Sequence, residues 1–154
     1  MVAGEDQAGR IEQLRAQLVE QPDSEVFIEL AELLVQSGQT DEAVRVCESH
    51  LGFHPDAARG HLAYGKALVG QGQLEEGLQA LERACMLASS GAELLEEIGR
   101  FLLEAGHPGP AHLYIDKALE KAPDKESLLE LSGAVEDEAG GDFGRQSTEK
   151  LTLG

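Results

Sequence analysis

The sequence predicts an all-α solenoid, and three observations carry that prediction. Gly38, Gly72, Gly106 and Gly140 recur in equal steps of 34 along the chain. Two further series keep the same interval, Ala31–Gly65–Gly99–Gly133 and Ala43–Gly77–Ala111, and Pro55 and Pro123 lie two intervals apart with Ser89 midway. Within each interval apolar residues recur at three and four positions, as in Phe27, Leu30 and Leu34, which is the spacing of one helical face. A period of this length describes a two-helix unit that cannot bury its apolar face alone and stacks on its neighbours.

The elements follow in order. Residues 1–23 are expected to hold an N-terminal capping helix, over 7–21, with Ile11, Leu14 and Leu18 on one stripe. Its end, Leu18 to Asp23, echoes Leu119 to Asp124, as the second helix of a lost unit would. Three full units follow at 24–57, 58–91 and 92–125. In each, a glycine (Gly38, Gly72, Gly106) supplies the left-handed residue that ends the first helix. Pro108 then suits the first turn of a second helix, where its missing N–H is not needed. Asp23, Asp56, Ser90 and Asp124 are candidate N-caps, and Ser90 with Glu93 has capping-box spacing. A C-terminal capping helix spans 126–139, with Leu128, Leu131 and Val135 inward, and 140–154 is expected to be a mobile tail.

The small residues have a packing reason. Ala31, Gly65 and Gly99 lie mid-way along the first helices, and Ala43, Gly77 and Ala111 near the start of the second. If the two sets face each other, the helices approach closely, and a larger side chain there costs roughly 1–3 kcal/mol. Gly60 is expected to make room for His50 in the same way.

Composition narrows the function. The 154 residues carry 29 acids against 12 Lys and Arg, a formal charge of −17, so a DNA or RNA duplex would be repelled. A hydrophobic fraction of 42% is too high for an unfolded acidic chain. No apolar run reaches the about 18 residues a bilayer span needs, and the acidic start, Met1 to Asp6, lacks the apolar core of a secretory signal. Cys47 and Cys85 are too few for a disulfide framework. These features point to a cytoplasmic protein with reduced thiols, without membrane insertion and with a monomer favoured.

The repeated residues resemble the tetratricopeptide repeat (TPR) family. The first unit reads Phe27, Leu30, Ala31, Leu34, Ala43, Cys47, His50, Pro55; the second His61, Tyr64, Gly65, Leu68, Gly77, Leu81, Ala84, Ser89; the third Leu95, Ile98, Gly99, Leu102, Ala111, Ile115, Ala118, Pro123. His61 departs from the usual large apolar residue, Ser89 from proline and His50 from alanine. The resemblance implies a right-handed superhelix whose concave face is lined by the first helix of each unit. Carried onto this chain, the groove positions are Glu25, Ile28, Glu32, Val35 and Gln36, then Arg59, Leu62, Lys66, Val69 and Gly70, then Glu93, Glu96, Arg100, Leu103 and Glu104.

Three of the 12 basic residues, Arg59, Lys66 and Arg100, fall on that face beside Ile28, Val35, Leu62, Val69 and Leu103. Apolar anchors around cations suit a protein or peptide segment that brings its own apolar side chains and a carboxylate. The competing structural role is ordinary ion pairing with Glu32, Glu93 and Glu96. The resemblance also argues against a carboxylate clamp for heat-shock chaperone tails, because Ile28 and Glu32 stand where that clamp needs lysine and asparagine.

Other motifs carry less. Cys47, His50 and His54 have a spacing that one helical face could bring to a metal, but Cys47 matches a core position and no further ligand supports it. Asp142-Phe143-Gly144 imitates a kinase motif without its partners, and the glycines from Gly70 to Gly77 join two helices rather than a strand and a helix. Arg145 to Thr148 has the look of a phosphorylation segment. No nucleophile has a base partner, so no catalytic residue, metal or cofactor is expected. The expected function is a non-catalytic adaptor or scaffold that binds a partner in the groove. The alternatives are a small acidic TPR chaperone of a secretion system, on architecture alone, and a self-assembling scaffold that pairs through a helix end or Phe143.

Overall fold

Every regular element among the described residues is a helix. The structure, a computed structural model, describes residues 3–89 and 91–138, with side chains from residue 6 onward. Helix α1 is Ala3–Glu20, α2 Val26–Gln36, α3 Thr40–His50, α4 Ala58–Gly70, α5 Leu74–Leu87, α6 Ala92–Glu104 and α7 Pro108–Lys121. A last helix, α8, covers 126–138, and a single 3-10 turn, Leu51–Phe53, follows α3. The chain divides into two compact units, Met1–Ser89 and Ser90–Gly154. The expectations for 140–154, including the Asp142-Phe143-Gly144 and Arg145–Thr148 motifs, lie outside the described residues.

Three turns are built alike, because the same residue makes each. Gly38, Gly72 and Gly106 have φ of +79°, +90° and +88°, a backbone region that costs glycine nothing and other residues about 1–2 kcal/mol. The following N–H then reaches back to a buried leucine carbonyl: Gln39 to Leu34 at 2.8 Å, Gln73 to Leu68 at 2.9 Å, His107 to Leu102 at 2.8 Å. These bonds satisfy carbonyls the helix end would otherwise leave open. The chain therefore reverses in three residues, and the apolar stripes of α2 and α3, of α4 and α5, and of α6 and α7 meet. Phe27, Leu30, Ala31 and Leu34 of α2 and Ala43, Val44 and Cys47 of α3 are buried by that closure. Pro108 opens α7, as its missing N–H permits.

The small residues meet as the packing argument requires. A Cβ built on Gly65 would lie 2.9 Å from the Gly77 carbonyl oxygen and 2.7 Å from Leu81 Cγ, and one built on Gly77 would lie 3.0 Å from the Gly65 carbonyl oxygen. In the second compact unit, Ser90–Gly154, a Cβ on Gly99 would lie 2.6 Å from Ile115 Cγ1. Between α4 and α5 the facing backbone takes up space that a side chain would need, and at Gly99 the Ile115 side chain does.

The sequence expectations need correction at several points. Helix α1 starts at Ala3, not near residue 7. The acidic caps are not used: α2 follows Glu25 and α4 follows Ala57, each without a side-chain cap. Backbone bonds close those first turns instead, Ile28 N–H to Glu25 C=O at 3.0 Å and His61 N–H to Ala57 C=O at 3.1 Å. The cap position of α6 is Gly91, not Ser90, which itself lies outside the described residues. At α8 it is Lys125, not Asp124, whose carbonyl accepts the first helical bond, from Leu129. Gly60 makes room for Leu51 and Phe27, not His50: its Cβ would lie 2.9 Å from Leu51 Cδ2 and 3.1 Å from Phe27 Cζ.

Ser89 departs from proline because of its backbone angle. Its φ is +49°, whereas a proline ring holds φ at about −65°. Ser89→Gly is expected to raise stability by about 0.5–1 kcal/mol, read by urea unfolding, as the left-handed strain is relieved. Gly65→Ala is expected to lower stability by roughly 1–3 kcal/mol despite alanine's better helix propensity, because the methyl group overpacks α4 against α5. An unchanged or raised melting temperature in Gly65→Ala would contradict that contact.

Candidate functional site

The candidate residues stand on α2 and α4, which touch each other within the first compact unit, and on α6 in the second compact unit. On α2, Ile28 and Val35 are half-buried and pack against the hydrophobic core while keeping part of their surface open. On α4, Arg59 is exposed and Lys66 half-buried. Arg59 reaches across to α2, its Nη2 donating to Glu32 Oε2 at 2.9 Å and its Nε to the same oxygen at 3.2 Å. The side chains of this pair are 55% and 30% exposed, so the pairing is worth at most about 1 kcal/mol. The bond between Arg59 and Glu32 is therefore a weak one, on a face where Ile28 and Val35 are only partly covered.

Leu62 and Val69 do not line an open surface, contrary to the sequence expectation. Leu62 is 1% and Val69 5% exposed. For Val69 the cause is visible on α5: a Cβ on Gly77 would lie 2.6 Å from Val69 Cγ2, so the glycine draws the valine inward. Gly70 has Thr40 against it, with Thr40 Cγ2 at 2.6 Å from a built Cβ. Leu62 and Val69 support the face from below, whereas Gly70 is exposed.

In the second unit, Arg100 is exposed and Leu103 half-buried on α6. Glu96, expected on an open face, is buried and holds two cations: Arg100 Nη2 at 3.0 Å and Lys125 Nζ at 2.6 Å. The Lys125 ammonium, more than any other neighbour, holds the Glu96 carboxyl below the usual carboxylate range, and hydrogen bonds from Ser127 and Arg100 act in the same direction. Lys125 was not legible as part of this cluster, because it lies in the loop before α8, far along the chain from its carboxylate. The three charges sum to one excess positive charge.

Two further cations of the first unit are committed elsewhere. Arg10 of α1 grips Glu29 of α2 through two bonds of 2.7 Å. Arg15 grips Glu42 of α3 at 2.8 and 2.5 Å and also contacts Glu12. Both Glu29 and Glu42 are held below their ordinary pKa, chiefly by the hydrogen bonds from these arginines.

The Cys47, His50 and His54 motif resolves into packing. Burial, followed by the charge of Glu48, pushes the Cys47 thiol up to about 12, which leaves it unreactive. His50 and His54 each stack on Phe27 with ring centroids 5.9 Å apart. Their ring nitrogens donate to backbone carbonyls, His50 Nδ1 to Pro22 at 2.8 Å and His54 Nε2 to Asp23 at 2.5 Å. The two imidazoles thus pin the α1–α2 link to the end of α3. His61 bonds the Pro55 carbonyl at 2.9 Å, which satisfies a polar ring where an apolar one is usual. Among the described residues no three His, Cys, Asp or Glu side chains are grouped to hold a metal, and no helix is long and apolar enough to cross a membrane.

No family model and no curated protein matches the sequence. Solved structures do match. A thermophilic TPR protein of Thermus thermophilus, TTC0263, superposes with a TM-score of 0.66 at 20% identity, over 81% of this chain and 71% of its own. A MamA structure gives 0.67 at 19% identity over 97% and 93%. YrrB, described as a TPR protein with an unusual peptide-binding site, gives 0.58 at 19% over 86% and 77%. The fold is therefore that of the tetratricopeptide repeat proteins.

Glu96 also makes the fold sensitive to acid. Its folded pKa lies below that of the unfolded chain, so its contribution is full above the usual carboxylate range and is lost as pH falls through the depressed folded value. Glu96→Gln is expected to lower the melting temperature at pH 7 and to flatten its decline as pH falls below the usual carboxylate range. An acid slope identical to that of the wild type would show that the Arg100–Glu96–Lys125 cluster does not contribute.

Proposed function

We propose that the chain is a non-catalytic adaptor of three TPR units, at 24–57, 58–91 and 92–125, that binds a partner segment on the faces of its first helices. The observation that carries this reading is the pairing, on α2 and α4, of partly covered Ile28 and Val35 with Arg59 and Lys66. The bond from Arg59 to Glu32 is exposed, so an incoming carboxylate can take the place of Glu32 at little cost. Taken by itself, α6 of the second compact unit carries residues of the same chemistry, Arg100 and Leu103. The partner is then a peptide or helix with apolar anchors and at least one carboxylate, and the peptide-binding site named for YrrB supports that class of ligand. The buried, free thiol of Cys47 suits a reducing compartment such as the cytoplasm.

The test is Arg59→Glu combined with Lys66→Glu, set beside the wild type in a pull-down read by mass spectrometry. The expected result is loss of the captured partner with unchanged circular dichroism, because substitutions at exposed and half-exposed sites leave the core intact. Undiminished capture by the double variant would remove the face from the account.

A further inference from the structure

We infer that the ring of Phe53 seats an arginine side chain from a basic segment of a partner protein. Phe53 ends the 3-10 turn after α3 and is 55% exposed. Its ring centroid lies 6.4 Å from that of His50, His50 stacks on Phe27 at 5.9 Å, and Phe27 stacks on His54 at 5.9 Å. Phe27 is fully buried. Phe53 is therefore the outer member of an aromatic column rooted in the core. The two imidazoles are fixed in turn by the carbonyls of Pro22 and Asp23, at 2.8 and 2.5 Å. An open ring held in place this way needs little further ordering when a ligand covers it.

The surroundings of the column are apolar and acidic. Val19, 82% exposed, stands in the last turn of α1, three residues before the Pro22 that His50 holds. Pro22 and Pro55 are exposed beside it. Glu20, Asp23, Glu25 and Asp56 are exposed too, and segments 16–25 and 51–58 contain no lysine or arginine. One of these acids reaches the column itself, with Glu25 Oε1 3.8 Å from His54 Nδ1. A guanidinium is planar and weakly hydrated, so it can lie against an aromatic ring and still donate from its edge to a carboxylate. An ammonium is a compact, strongly hydrated charge and does this less well. An aliphatic side chain next to the arginine then covers Val19.

Charge decides between occupants. A second copy would bring a formal charge of −17 toward these acids. Within the chain, residues 139–154 offer two bases, Arg145 and Lys150, against two acids, Asp142 and Glu149, so their charges cancel. A basic segment of another protein gains from the carboxylates as well as from the ring.

The probe is a labelled synthetic peptide, Gly-Ser-Arg-Leu-Gly-Arg-Leu-Ser-Gly, titrated into the full-length protein by fluorescence anisotropy, with its site mapped by amide shifts in NMR spectra. The expected result is saturable binding, with shift changes centred on residues 19–25 and 50–57. Phe53→Leu keeps the apolar bulk and removes the ring, and is expected to weaken binding about tenfold. The same peptide with lysine for each arginine is expected to bind less tightly. Asp23→Asn combined with Asp56→Asn leaves every backbone carbonyl in place and is expected to weaken binding as well, as is added salt. Undiminished affinity in Phe53→Leu, equal affinity for the lysine peptide, shift changes centred elsewhere, or no saturable binding to the wild type overturns the inference. So does a tenfold gain in probe affinity on removing 139–154, which assigns the ring to the chain's own end, or a concentration-dependent mass lost in Phe53→Leu, which assigns it to a second copy.

Discussion

The structure depends on how closely two helices can approach. Between α4 and α5 the backbone of each helix lies where the other's side chain would be, with Gly65 and Gly77 set against one another's carbonyl oxygens. That contact sets the register of the leucines around it, so that Leu68 and Leu81 become buried and Val69 is drawn off the surface. Each turn glycine then reverses the chain in three residues without strain.

Electrostatics act on top of this packing. With 29 acids and 12 basic residues, cations are scarce, and their placement is informative. Arg10 and Arg15 tie α1 to α2 and α3 through paired bonds, a geometry in which both nitrogens of the guanidinium fork contribute. Arg100 and Lys125 converge on one buried glutamate. Arg59 is the most exposed of the four arginines in these pairs. A partner that brings a carboxylate competes with a weak bond at Arg59 and with better shielded ones elsewhere, which favours the α2–α4 face.

Period and turns were legible in the sequence because they rest on residues with one physical reason each. Gly38, Gly72 and Gly106 are needed for a positive φ, and Gly65 and Gly99 for close approach. The candidate face was only half legible. Ile28, Val35, Arg59 and Lys66 retain open surface as expected, but Leu62 and Val69 do not, because a family register says which way a residue points and not what covers it. The helix caps were misread, since Asp56 and Asp124 have capping chemistry while backbone bonds from neighbouring residues already close those turns. Lys125 was invisible because its partner is distant in sequence, and Ser89 because a serine at the proline position does not announce its backbone angle.

The reciprocal contact of Gly65 and Gly77 is tested most directly by a double-mutant cycle. Urea unfolding would be measured for the wild type, for each alanine variant and for the variant with both. If one methyl already forces the helices apart, the second adds little, and the double variant is less destabilised than the sum by about 1 kcal/mol or more. Additivity within about 0.5 kcal/mol would show that the two glycines do not share one contact, and would contradict the account.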